Sequence, residues 1–395
     1  MKSTLPEAVN LHRDGRIEEA RRLYQKALRR NPADADALNY LGILEFQRGE
    51  RKRGVELLNR SLALAPRNPH AWINFGNMMA LERGAEEASV AYLRALAIDQ
   101  RLPEAWYNLG ICQRRLQQLD AASHSLRQAI EARPDYALAY EALGSLLYRS
   151  DRLAEAAELY TQWLAVDPHN PVARHMSAAS AAGHGPARAD DRYVSEHFDR
   201  FAASFDASLG ALGYRAPQLV ADALARHAGY QSANLDLLDA GCGTGLCGVL
   251  LRSSARRLTG VDLSEGMLAK ARERQVYDEL IAGELTSYLA RCPATFDAVI
   301  SADTLCYFGD LEPVVHAATA ALKPGGLLIF TVEYCDTAQG PYVLRPSGRY
   351  AHAQPYLHTV LAGVALEELA LEPVVLRMEG EVEVQGWVAT AQRPA

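Results

Sequence analysis

The sequence has no apolar run long enough to span a bilayer, and the reading excludes a membrane-crossing helix. Cysteine is sparse. Its six residues, at 112, 242, 247, 292, 306 and 335, show no paired metal spacing. That argues against a zinc site, so no metal is expected, and it suits free thiols in a reducing compartment. A basic excess is also missing: the net charge is −7. Residues 1–170 hold 23 basic and 22 acidic residues, and 171–395 hold 18 and 26. An acidic second half lacks the cationic face that nucleic acid requires. Met1-Lys-Ser-Thr-Leu-Pro6 leads straight into a polar helical pattern without a secretory apolar region, so a cytoplasmic location is expected.

What the chain does have is a period. From the second unit of residues 1–170 onward, Leu38, Leu41, Gly42 and Pro66 recur at a spacing of 34 residues. They return as Trp72, Phe75 and Gly76, then Trp106, Leu109, Gly110 and Pro134, then Tyr140, Leu143, Gly144 and Pro168. Second helices place small residues around a large one, as in Ala88, Tyr92 and Ala95. Small residues let two helices approach, large ones fill the gap, and proline closes the unit. The pattern resembles the tetratricopeptide repeat (TPR), which implies a solenoid of five units over residues 1–170. Departures stand at Ala8, Gly54, Ser61, Gln100 and Trp163. The bulky Trp163 is expected where the solenoid meets something else. The resemblance implies a protein or peptide partner on the concave face, where Asn74 and Asn108 are candidates to grip a peptide backbone; the alternative is ordinary surface polarity. The basic run Arg48–Arg53 reads as a solvated turn. Residues 171–191 read as a capping helix and linker.

The rest of the chain is organised around Leu237-Leu-Asp-Ala-Gly-Cys-Gly-Thr-Gly245, read as strand, tight loop and helix start. Glycines let a backbone pass close to a ligand, and helix N-termini present free N–H groups. The third glycine of a dinucleotide loop is missing: Leu246 follows Gly245. Asp239 would repel a pyrophosphate but suits an ammonium or sulfonium. A second strand, Leu258–Asp262, ends in an acid able to accept from both hydroxyls of a ribose.

Asp239–Gly245 resembles motif I of class I S-adenosylmethionine (SAM) methyltransferases, and Val261-Asp-Leu-Ser264 with Met267 resembles their motif II. The whole chain resembles the bacterial TPR-repeat methyltransferases. The fold implied is α + α/β: an α-α TPR solenoid followed by a Rossmann-like seven-stranded domain over 192–395, the last strand inserted antiparallel. Alternating helix and strand agree, including a helix over Val360–Leu369 and strands at Pro373–Met378 and Val384–Ala391. Aromatics at 198, 201 and 205 share a helical face. They read either as packing on the sheet or as a lid (192–230) over the cofactor, and Tyr214 is placed to reach its mouth.

The resemblance implies that Gly241, Cys242, Gly243 and Gly245 admit the methionine part of SAM, with Asp239 near its ammonium. Asp262 takes the ribose, and Leu263 and Met267 flank the adenine. Glu284, where the family usually has Asp, accepts from the adenine amino group beside Leu285, and Ser301 closes the fourth strand facing the sulfonium. The products are a methylated acceptor and S-adenosylhomocysteine. Proximity carries most of such a displacement, and a protonated nucleophile needs a base. Asp303, Glu333 and His352 are candidates, with Tyr307 or Tyr350 to orient the acceptor. The alternative for His352 is a loop histidine bonded to backbone. Arg349 can pair with a substrate carboxylate or with the domain's own acids.

The function implied is methylation of a protein or peptide recruited by the repeats. The alternatives are a small-molecule (quinone or natural-product) methyltransferase whose repeats serve assembly, and a SAM-binding scaffold without catalysis. The sequence does not define oligomeric state, acceptor or nucleophile.

Overall fold

The computed structural model describes residues 5–181, 185–227, 233–364 and 366–395. Residues 183–184 of the expected linker and 228–230 of the expected lid lie outside the described residues. The chain divides into two compact units, Met1–Asp167 and Pro168–Ala395.

The first unit is five helical hairpins: α1 (Leu5–Arg13) with α2 (Ile17–Arg30), α3 (Ala35–Gln47) with α4 (Arg51–Leu64), α5 (Pro69–Glu82) with α6 (Ala85–Ile98), α7 (Pro103–Arg115) with α8 (Leu119–Ala132), and α9 (Ala137–Arg149) with α10 (Leu153–Val166). Asp34 and Asn68 cap α3 and α5 by accepting from backbone N–H groups. The repeated glycine brings the two helices of a hairpin into contact. A Cβ on Gly76 would stand 2.5 Å from the Tyr92 ring, and one on Gly144 would stand 2.1 Å from the Tyr160 hydroxyl.

The departures have physical reasons. Gly54 faces Gly42, where a Cβ would meet the Gly42 carbonyl at 2.7 Å, and Ser61 Oγ donates to the Ala35 carbonyl at 2.7 Å. Trp72 Nε1 donates to the carbonyl of Pro66, and Trp106 Nε1 makes the same bond to Gln100, so the position requires a carbonyl rather than proline. Trp163 is buried within its own hairpin, its ring stacked on Tyr140 at 4.9 Å.

The second unit begins with α11 (Pro171–Ser180), α12 (Asp191–Phe201), α13 (Phe205–Ala211) and α14 (Ala216–Ala225). The alternating part follows: β1 (Leu235–Ala240), α15 (Leu246–Leu251), β2 (Ala255–Asp262), α16 (Glu265–Glu273), β3 (Glu279–Ala282), α17 (Leu285–Leu289), β4 (Phe296–Ser301), α18 (Glu312–Ala321) and β5 (Leu322–Tyr334). β6 (Tyr342–Leu344) and β7 (Tyr350–His352) form a hairpin before α19 (Gln354–Gly363), β8 (Glu367–Glu379) and β9 (Val382–Gln392).

β3, β2, β1, β4 and β5 are parallel neighbours in that order. β9 enters antiparallel beside β5, and β8 pairs with β9. These are the seven strands foreseen. The β6–β7 hairpin makes nine among the described residues, β7 pairing with Glu333 and Tyr334 beyond the residues of β5 that β4 covers. Leu237, Leu258, Ala298, Ile300, Leu327 and Ile329 form the core with Val220 and Leu224 of α14. Burial of such apolar strands on both faces holds a parallel sheet.

Three expectations need correction. The helix placed at 360–369 ends at Gly363, because Glu367 onward extends β8 along β9. Residues 350–352 are a strand rather than a loop. Phe205 does not share a helix with Phe198 and Phe201, since the chain turns at 202–204 and Phe205 opens α13.

Candidate functional site

The carboxyl ends of the parallel strands and the helices before β1 together line one pocket. Gly241, Cys242, Gly243 and Thr244 come from the loop after β1, and Asp262, Leu263 and Met267 from β2 and the start of α16. Gly283, Glu284 and Leu285 follow β3, and Asp303, Thr304 and Tyr307 follow β4. Phe198, Phe205, Leu209 and Tyr214 cover it from α12, α13 and the turn beyond. Every one of these residues belongs to the second unit. Ligand sites of open α/β sheets sit in this place.

The glycines of the loop differ in their work. Gly243 (φ 53°) and Gly283 line the pocket with nothing within 4 Å of where a Cβ would stand. Gly241 (φ 78°) is instead closed by Thr304, whose Oγ1 donates to its carbonyl at 3.1 Å. Gly245 opens α15 in the left-handed region and packs against Tyr277 and Arg274 outside the lining. Tyr277 explains Gly248, where a Cβ would meet its ring at 2.3 Å, and shares with Leu280 and Cys242 the crowding at Gly260, where a Cβ would stand 3.0 Å from the ring. Through that gap its hydroxyl donates to Asp239 at 2.6 Å. Asp239 therefore lies behind the loop, out of the pocket lining. Burial, opposed by the Tyr277 bond, pushes its carboxyl up to about 7. The sequence reading gave Tyr277 no role; the glycines at 245, 248 and 260 were the signal for a ring passing among them.

Asp262 is held by backbone. One oxygen accepts from Gly243 N–H at 2.8 Å and the other from Ser264 N–H at 2.9 Å. Burial raises its pKa, while the N–H groups of Ser264, Gly243 and Leu263 oppose the rise. A carboxylate offers about four lone-pair positions, so both oxygens keep a position for a ligand hydroxyl. Glu284 caps α17 by accepting from Thr286 and Ser287 N–H. Burial acts to raise its pKa, but those bonds outweigh it and leave the group below its usual value. Leu263, Met267 and Leu285 supply apolar walls.

Asp303 is the most constrained residue of the lining. Its φ is +60°, a conformation that costs a non-glycine residue on the order of 1–3 kcal/mol. The Asp303 N–H donates to Thr331 Oγ1 at 2.8 Å, which helps hold it there. One carboxylate oxygen meets Arg349 at 3.0 Å and Arg377 at 3.5 Å, while its buried Oδ1 has no hydrogen-bond partner. Arg349, from the β6–β7 turn, enters the lining beside the Tyr307 ring. Arg377 and Glu333, each 2% exposed, pair at 2.6 Å beneath it.

The remaining predicted residues stand apart. Ser301 Oγ donates to the Ala240 carbonyl at 2.9 Å and ties β4 to the end of β1. Glu333 is outside the lining, in the arginine network. His352 is fully buried outside the lining, its Nε2 donating to the carbonyls of Phe308 and Gly309 at 2.9 and 3.2 Å. Burial lowers its pKa to about 4. Tyr350 is buried, its hydroxyl donating to the Pro186 carbonyl.

Two aspartates fasten the covering helices. Asp199 accepts from Ser264 Oγ at 2.6 Å and Gly266 N–H at 2.8 Å. Asp206 accepts from Thr244 Oγ1 and from Arg274, both at 2.5 Å. Phe198 meets Tyr307 edge-on at 5.5 Å between ring centres. In the repeats, Asn74 and Asn108 each donate to the asparagine of a preceding hairpin, Asn39 and Asn77, at 3.1 Å.

Among the described residues no three or more His, Cys, Asp or Glu side chains stand together as a metal site. No helix among them is long and apolar enough to cross a membrane.

Comparison with known proteins agrees with this anatomy. A methyltransferase-domain family model matches residues 238–330, and tetratricopeptide-repeat models match 5–69, 91–122 and 113–171. The malonyl-[acyl-carrier protein] O-methyltransferase of Serratia marcescens is 31% identical over 138 residues, 35% of this chain and 51% of the relative. A ubiquinone biosynthesis O-methyltransferase of Idiomarina loihiensis is 37% identical over 101 residues, 24% and 41% respectively. The chain thus spans about half the length or less of these relatives. Among solved structures, MamA aligns with 22% identity and a TM-score of 0.37 over 41% of this chain and 94% of that one. The chain therefore joins tetratricopeptide repeats to a domain of the methyltransferase family.

Proposed function

We propose that the chain transfers a methyl group from SAM to a protein or peptide acceptor recruited by its repeats, leaving S-adenosylhomocysteine. The observation that carries this reading is the composition of one pocket: open glycines 243 and 283, the backbone-held carboxylate of Asp262, apolar Leu263, Met267 and Leu285, and Asp303 with a buried unpartnered oxygen. These residues fit the cofactor. Asp262 would take ribose hydroxyls, Glu284 the adenine amino group, and the glycine loop the amino-acid end. The bound sulfonium supplies an already activated methyl group. The protein's part is then to orient the acceptor and exclude water. Asp303 is the base of this scheme, its free Oδ1 receiving the acceptor's O–H or N–H, with Tyr307 beside it. Asp199 and Asp206 hold Phe198 and Phe205 over the pocket. Glu333 acts by positioning Arg377 and Arg349.

A relative named for a malonyl group on acyl-carrier protein acts on a small acid delivered by a protein, a division of labour that suits a chain with a separate repeat unit. A second reading, a free small-molecule acceptor, draws on the pocket's being lined by the second unit alone and on the relative named for ubiquinone biosynthesis.

Calorimetric titration tests the cofactor assignment. The full chain should bind SAM and S-adenosylhomocysteine, and Asp262→Ala should weaken both at least about a hundredfold, near 2.7 kcal/mol, with the repeats still folded by circular dichroism. Unchanged affinity would refute the assignment. Tritiated-methyl transfer to proteins, compared with a quinone mixture, decides between the acceptors.

A further inference from the structure

Arg349 enters the pocket from a weakly held piece of backbone. The strands of the β6–β7 hairpin have three residues each, and β7 pairs with β5 at Ala351 and His352. A short two-stranded hairpin has little stability of its own. Within its turn, Arg345 N–H donates to the Arg349 carbonyl at 2.9 Å and Gly348 N–H to the Arg345 carbonyl at 2.8 Å. Those bonds shape the turn without anchoring it.

An anchor comes from the chain ahead of the sheet. His175 of α11 is 4% exposed, and its ring stacks on Tyr193 of α12 at 4.0 Å between ring centres. Its Nε2 stands 2.8 Å from the Gly348 carbonyl. A carbonyl only accepts, so Nε2 carries the proton and donates. Burial lowers the pKa of the ring, opposed by that bond and by the charge of Asp190, so the imidazole is neutral at neutral pH. Gly348 is also enclosed. Its φ is +81°, and a Cβ there would stand 2.9 Å from the Tyr193 hydroxyl and 3.0 Å from Met176 Sδ. The strands are held from the same side. The Tyr350 hydroxyl donates to the Pro186 carbonyl at 2.7 Å, and Ala179 packs with Leu344 and Tyr350. α11 therefore grips the turn one residue before Arg349, whose Nη1 meets Asp303 Oδ2 at 3.0 Å. The other oxygen of Asp303, Oδ1, is the one left without a partner.

We propose that His175 is a positioning residue of the pocket: its bond to Gly348 sets the reach of Arg349, and Arg349 in turn presents Asp303 to the acceptor. The proposal rests on the reading of Asp303 as the base for methyl transfer. It extends the pocket's support into α11, where the sequence suggests only a cap before a linker. Misplacing a reacting group by about 1 Å can cost on the order of a hundredfold in rate, so a contact outside the lining can still govern turnover.

The test uses the full chain. His175→Phe keeps a ring to stack on Tyr193 and removes the donor, whereas His175→Gln keeps an N–H donor at similar reach. The acceptor probes are the proteins of a cell extract and the quinone mixture, each offered with tritiated SAM at saturation. His175→Phe should slow transfer about tenfold, bind SAM in calorimetry as the parent does, and melt within a few degrees of it. His175→Gln should recover most of the rate. A second readout needs no acceptor: the Arg349 Nε–H resonance of protein carrying isotope-labelled arginine, identified by its loss in Arg349→Lys. It should move in His175→Phe and return in His175→Gln. Arg226→Gln, which breaks the exposed pair with Glu372, should change none of these. An unmoved Arg349 resonance in His175→Phe, an unchanged rate, equal losses in the two His175 variants, or a SAM affinity that falls with the rate would overturn the proposal. Label in neither probe, with the resonance following His175, would remove the methyl-transfer reading and keep the hold on Arg349.

Discussion

In the repeats a glycine is a socket, whereas in the second unit it is often a clearing. Gly76 and Gly144 receive the side chains of Tyr92 and Tyr160, and Gly110 receives Leu126. Gly243 and Gly283 receive nothing from the protein and border the pocket. Buried charge divides along the same line. Glu45 is surrounded by arginines that are themselves a quarter to a half exposed, so solvent shares the load. Asp303, Glu333 and Arg377 have side chains 5%, 2% and 2% exposed and balance one another's charge with almost no help from water, while Asp303 Oδ1 and Arg377 Nη1 keep no hydrogen-bond partner. The repeats spend their special residues on packing. The second unit spends them on holding a strained aspartate beside a space.

The largest expected effect follows from that charged network. Arg377→Met should leave Glu333 and Asp303 buried with only Arg349 between them and one peripheral arginine, Arg345, at 3.8 Å. Breaking a buried pair by removing one partner costs about 3–5 kcal/mol. Urea denaturation should show that loss. Removing Glu45 as Glu45→Gln should cost less, because its arginines can turn to solvent; an equal loss would erase the contrast drawn between the units.

Glycine gives the next test. Gly144→Ala would place a methyl group 2.1 Å from the Tyr160 hydroxyl, an overpacking worth roughly 1–3 kcal/mol, read as a lowered Tm. Gly243→Ala meets no atom and pays only for its left-handed backbone, on the order of 1–2 kcal/mol. Its main effect should appear as weakened SAM binding in calorimetry. If Gly243→Ala bound SAM as the parent does, the open space would have no part in holding the cofactor.

The repeats were legible because their information is local and redundant. A period of 34 residues states five times which helix meets which. The strands up to β5 and the loop at 239–245 were legible for a similar reason, since the alternation and the glycines lie close together in sequence. Three things were hidden because they depend on partners far along the chain. Tyr277 reaches Asp239 across 38 residues. His352 meets the carbonyls of Phe308 and Gly309 only when β7 brings it to them. Glu333 gains its partner Arg377 only when β8 delivers it. Trp163 was legible only as a large residue at a small position; that its ring stacks on Tyr140 inside the hairpin was not.

The smallest expected effect isolates a single buried carboxyl. Asp239 has a pKa near 7 in the folded chain against an ordinary value of 3.8, raised chiefly by burial. Between about pH 4 and 7 the native chain therefore holds a proton that the unfolded chain has released. Stability owed to this group is greatest in acid and falls as pH rises through that window, becoming flat above it. Asp239→Asn removes the titration but keeps an oxygen to accept from Tyr277. At pH 5 the variant should match the parent within about 1 kcal/mol, and by pH 8 it should be the more stable of the two. Denaturant midpoints measured for both proteins at these two pH values check the sign. A parent that gained on the variant as pH rose would mean that the carboxylate is stabilised in its charged form, and that the space behind the glycine loop is wetter than the packing of Tyr277 indicates.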